Sequence, residues 1–61
     1  MQLFHAKTIT PIHLKEGDFQ KTIPVGTPVV VYSLQSGELC ANDGQNNFII
    51  DLFEFTKETV H

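Results

Sequence analysis

Four glycines and three prolines cut this chain into segments too short for a helical core and of the right length for strands. Pro11, Gly17, the Pro24–Pro28 stretch, Gly37 and Gly44 interrupt it every six to nine residues until the last segment. Strands average roughly 5–6 residues, whereas a recognisable helix needs about 10–12. The spacing is that of a meander, with no internal repeat and no low-complexity stretch.

Residues 2–10 mix apolar and β-branched side chains without helical period, and Pro11 disfavours helical geometry at Thr10. They read as a first strand. Ile12 and Leu14 alternate with His13 and Lys15 up to the turn-like Glu16-Gly17-Asp18, after which Phe19–Ile23 alternates again, as in a hairpin. Pro24-Val25-Gly26-Thr27-Pro28 must turn the chain. Val29-Val30-Val31-Tyr32-Ser33-Leu34 carries the strongest strand signal, apolar on both faces, and is expected to be central. Turns at Gln35–Glu38 and Asn42–Asn47, the latter containing Asp43-Gly44, bracket the short strand Leu39-Cys40-Ala41.

The segment from Phe48 to Phe55 is ambiguous. Its composition suits a strand, yet Asp51 and Glu54 have capping-box spacing, and a helix from Asp51 would group Leu52, Phe55 and Thr59. The expectation is strand through Phe53, then a short helical turn or frayed tail near the C-terminus. Residues 1–61 are thus expected to form a single all-β domain, a small five- to six-stranded antiparallel SH3-like barrel or compact sandwich.

A 61-residue chain buries only about 60% of its unfolded surface, and the single cysteine, Cys40, cannot close an intrachain disulfide. Secreted domains this small usually carry several cysteines, so a cytoplasmic location is expected. The N-terminal residues show no signal-peptide pattern, and Val29–Tyr32, the longest wholly apolar run, is far short of a membrane span.

Catalytic chemistry finds little footing. Cys40, Ser33 and Ser36 are the candidate nucleophiles, with His5 and His13 as bases, but no spacing links them. Cys40, between Leu39 and Ala41, reads as a small core residue. His5, His13, His61 and Cys40 could ligate a metal, but the closest pair is eight residues apart, against the two to four usual for zinc pairs. Asn42–Asn47 lacks the acidic end of a calcium loop, and the stretches around Gly26 and Gly37 lack the glycines and lysine of a phosphate cradle. No cofactor is expected.

Charge is uneven. Seven acids face four lysines and no arginine; residues 1–37 carry a net +1 and residues 38–61 a net −4. Such a chain is poorly equipped to neutralise phosphates, so nucleic-acid binding is disfavoured. What remains is surface: five phenylalanines are many for one small core, and an open sheet has edges that can pair with another chain. Elimination therefore favours a non-enzymatic protein-interaction module, a regulator or inhibitor of the phage or plasmid type. It would dock on a larger protein, or form a homodimer, through an acidic and aromatic surface made of Glu38, Asp51, Phe53, Glu54, Phe55 and Glu58. In a sharper version the acidic third imitates phosphates in a basic groove. The alternative is a small-barrel nucleic-acid binder using Lys7, Lys15 and Lys21 with Phe4 and Phe19 as a stacking platform. An enzyme completed only at an oligomer axis ranks third.

Overall fold

The computed structural model describes residues 3–58, in seven strands and one 3₁₀ turn. In chain order these are β1 (Leu3–Thr8), β2 (Ile12–Glu16), β3 (Phe19–Ile23), β4 (Pro28–Ser33), β5 (Leu39–Asn42), β6 (Asn47–Ile49), the 3₁₀ turn (Leu52–Glu54) and β7 (Phe55–Lys57). All pairings are antiparallel. One sheet has the order β6-β5-β4-β1-β7 and the other is the hairpin β2-β3. β4 is central, as its composition demands. Among the described residues no ladder joins the two sheets, so the strands do not close into a barrel. No described helix is long and apolar enough to cross a membrane.

The period of two along each strand assembles the core. Phe4, Val31, Ala41 and Phe48 stand in register across β1, β4, β5 and β6, with Ala6 and Val29 in the next row. The hairpin lays Ile12 and Ile23 on this face, and Ile50 and Phe55 complete the cluster. The buried alanines, Ala6 and Ala41, leave room for the hairpin to approach. Burying each of the larger side chains is worth roughly 1.5–3 kcal/mol. The hairpin reverses over Gly17 and Asp18, with Gly17 at φ 59 as the first position of a two-residue II′-type turn requires.

One expectation needs correction. The strand predicted through Phe53 stops at Ile49. After the Ile50 N–H bonds the Leu39 carbonyl at 3.0 Å, the chain turns, because the Glu54 carboxylate accepts the Asp51 N–H at 2.8 Å and the Glu54 N–H donates to the Asp51 carbonyl at 2.9 Å. The helical turn thus lies before a seventh strand, not in the tail, and Thr59 falls outside the described residues. Cys40 is buried, as expected of a small core residue, only 8% exposed, and lies in the row Leu3–Tyr32–Cys40–Ile49 on the sheet face away from the main apolar cluster. The phenylalanines divide: Phe48 and Phe55 are buried, Phe4 packs on Phe55 with ring centroids 5.7 Å apart, and Phe19 and Phe53 are exposed.

Thr8 fastens the two sheets together. It is 1% exposed and holds the whole β3–β4 turn. Its hydroxyl donates to the Pro24 carbonyl at 2.8 Å and accepts the Thr27 N–H at 3.0 Å. Its own N–H reaches the Thr27 carbonyl at 3.1 Å, and its carbonyl accepts the Gly26 N–H at 2.8 Å. Gly26 sits at φ 86, a conformation few other residues adopt. Thr8→Val keeps the shape but strands the Thr27 amide and loses the Pro24 bond. It is expected to cost about 1–3 kcal/mol, read as a lower urea midpoint with unchanged m-value.

Candidate functional site

The 3₁₀ turn places two large apolar side chains in solvent. Leu52 is 77% exposed and Phe53 71%, next to the half-exposed Ile49 at the end of β6. The backbone beneath them is fixed on both sides: Glu54 closes on Asp51, and the Glu54 carbonyl accepts the Ile9 N–H at 2.9 Å, tying the turn to the β1–β2 connection. Ile50, just before the turn, is buried and anchors it in the core.

Together with Gly37, Glu38, Leu39 and Asp51, these residues line a concavity of ≈ 440 Å³. Every charged side chain in its wall, Glu38 and Asp51, is an acid. Their field disfavours anions and favours a cationic, apolar-tipped group. Glu38 accepts a hydrogen bond from the Ser36 hydroxyl at 3.3 Å.

Of the six residues expected to form the surface, the structure brings Glu38, Asp51 and Phe53 to one concavity and leaves Glu54 outside it, with its carboxylate turned back on the chain. Phe55 is a correction, because its ring is buried against Phe4 and it presents nothing to a partner. Glu58 is also elsewhere, in a ≈ 250 Å³ depression with His5, Val30 and Asp43. Leu52, Ile49 and Leu39 were not foreseen. The capping-box spacing was the signal for Leu52, since a tight turn over 51–54 exposes the side chains between its ends.

A second groove, ≈ 670 Å³, runs between β2 and β6. Its walls include His13, Leu14 and Lys15 on one side and Asn47, Phe48 and Ile49 on the other, with Glu54 also lining it. Ile49 lines both depressions, which are therefore neighbours at the end of β6.

The remaining candidates are scattered. Lys7 is on β1, Lys15 on β2, and Lys21 on β3 is engaged by Gln45 Oε1 at 3.0 Å and Asp43 Oδ2 at 3.9 Å. Phe4 faces the core under the Lys57 ammonium, 5.2 Å from its ring centroid, while Phe19 is on the hairpin. Of these five residues, Lys15 and Phe19 line the groove beside β6, while Phe4, Lys7 and Lys21 do not. His5 and His13 lie in different sheets, since β1 pairs with β4 and β7 rather than with β2. The His13 Nδ1 is 3.1 Å from the Thr22 hydroxyl, and His61 falls outside the described residues. Cys40 on β5 is separated from His5 on β1 by β4. No family model, curated protein or solved structure matches this chain. The surface must be read from its own chemistry.

The β5–β6 loop is held by side-chain to backbone hydrogen bonds. The Asp43 carboxylate accepts the N–H groups of Gln45 at 2.9 Å and Asn46 at 2.7 Å and faces Lys21. Burial alone would raise its pKa, but the amides of Asn46 and Gln45 and the Lys21 charge together hold it below the ordinary 3.8. A depressed carboxyl contributes its stabilisation in full above that ordinary value and loses it as pH falls through the lowered one. The stability difference between wild type and Asp43→Asn is therefore expected to be constant near neutrality and to shrink below pH 3.8. Urea titrations across that range measure it; a difference that grows on acidification would contradict the assignment.

Proposed function

We propose that this chain is a non-enzymatic protein-interaction module that docks on a larger protein through the Leu52–Phe53 turn and its acidic rim. One observation carries the reading: of the eight large apolar side chains exposed among the described residues, the two most exposed, Leu52 and Phe53, are consecutive and sit on a backbone clamped at both ends. Preorganised apolar anchors inside a charged rim are the usual makings of an interface centre, because little ordering entropy is lost when they are covered. The rim acids select a basic counterpart and speed encounter more than they add affinity. As scaffold, the two sheets form a compact open sandwich rather than a closed SH3-like barrel. The role that fits is that of a cytoplasmic regulator or inhibitor, which needs only to occupy a surface.

The test is enrichment from a nuclease-treated bacterial extract with three tagged proteins: wild type, the Leu52→Ser/Phe53→Ser double variant, and Lys7→Ala. The same partner should be retained by wild type and by Lys7→Ala and released by rising salt. The double variant should bind at least roughly tenfold more weakly, as expected for hot-spot truncation, while its folding stability stays within about 0.5 kcal/mol. Undiminished retention by the double variant, or recovery only of material that nuclease removes, would overturn the reading.

A further inference from the structure

We infer that the partner is captured by strand addition: an extended, lysine- or arginine-bearing segment pairs with the free edge of β6 and seats an apolar side chain against Phe53. This rests on the reading of the Leu52–Phe53 surface as the docking site and specifies how that site is used.

The register determines which main-chain groups are free. In an antiparallel ladder alternate residues bond the neighbouring strand and those between point away. The Ile50 N–H bonds the Leu39 carbonyl, so Phe48, paired with Ala41, also points to β5. Asn47 and Ile49 therefore direct their N–H and C=O groups outward, into the groove whose far wall is β2. Among the described residues no main-chain hydrogen bond from another element reaches either one. In β2, Glu16 and Phe19 flank the two-residue turn and bond each other, so His13 and Lys15 are the residues whose main-chain groups point away from β3. The groove thus has an unpaired strand edge on each side.

That geometry and the local charge choose the occupant. A single extended segment can enter between two edges, whereas an edge strand of a second copy arrives with its own sheet attached and meets β2. A segment that follows β6 past Ile49 meets Glu38 and Asp51, with Leu52 and Phe53 beside them. Alternate side chains of a strand lie on one face, so an apolar residue can contact Phe53 while its cationic neighbours approach Glu38 and Asp51.

Amide hydrogen exchange on the ¹⁵N-labelled chain tests this with three pools of short synthetic peptides: lysine alternating with randomised Val, Ile or Phe; the same with glutamate for lysine; and the lysine pool with alternate backbone nitrogens methylated. The lysine pool should slow exchange at Asn47 and Ile49 by roughly tenfold at about ten times its Kd. The effect should weaken with salt and be lost in the other two pools. No slowing at Asn47 and Ile49 with the lysine pool at about 1 mM, or equal slowing by the glutamate pool, overturns strand addition. Shifts confined to Leu52 and Phe53, with exchange at Asn47 and Ile49 unchanged, also overturn it while leaving the docking reading intact. Failure of the Leu52→Ser/Phe53→Ser variant to weaken capture of the extract partner would instead remove the docking reading itself.

Discussion

The arrangement of the two sheets hangs on the Thr8 side chain. Among the described residues the hairpin has no ladder to the larger sheet, and its position is fixed by the short connection from β3 into β4. Thr8 holds that connection by a hydroxyl that donates to Pro24 and accepts from Thr27, while its main chain binds Thr27 and Gly26. Thr27 adds a bond of its own, its hydroxyl donating to the same Pro24 carbonyl at 2.6 Å. A buried hydroxyl is costly when unpaired and specific when paired, so a threonine here specifies a single approach of Ile23 and Ile12 to the core where a valine would only fill space.

With the hairpin so placed, one face of the larger sheet is covered and β6 is left beside a groove. The same economy shapes the exposed turn. Glu54 serves through its carboxylate, its N–H and its carbonyl at once, binding Asp51 twice and Ile9 once. It is an acid in the region of the surface but its carboxylate is committed to the backbone, whereas Glu38 and Asp51 line the concavity. The acids that look equivalent in composition are thus separated by what they hold.

Segmentation was legible because Gly and Pro act locally: the β2–β3 hairpin, the β4 strand and the short β5 all fall where turn chemistry places them. Long-range choices were not. Nothing near Leu3–Thr8 announces that it lies between β4 and β7, because that pairing is decided by how the whole apolar face closes. The three residues Leu39-Cys40-Ala41 are too short and too uniformly apolar for a period of two to say which side is inside, so burial of Cys40 was legible but its sheet face was not. At the candidate site, acidity pointed to Glu38 and Asp51, and the surplus of aromatics to Phe53. Phe55 was misjudged because its neighbour Glu54 turns the chain between them, sending one ring outward and the next into the core.

The Asp43-Gly44 pair has a further consequence, for the chemical lifetime of the protein. In a flexible chain such a pair ages readily, as the glycine amide nitrogen attacks the aspartate side chain and yields a cyclic imide and then isoaspartate. Here the Gly44 N–H donates to Asn42 Oδ1 at 2.7 Å, and the Asp43 carboxylate is held by the two amides that follow. Both reacting groups are engaged elsewhere for as long as the loop is closed. Damage at this one bond would therefore accumulate only during the moments when the loop opens, leaving a cumulative chemical record of its motion.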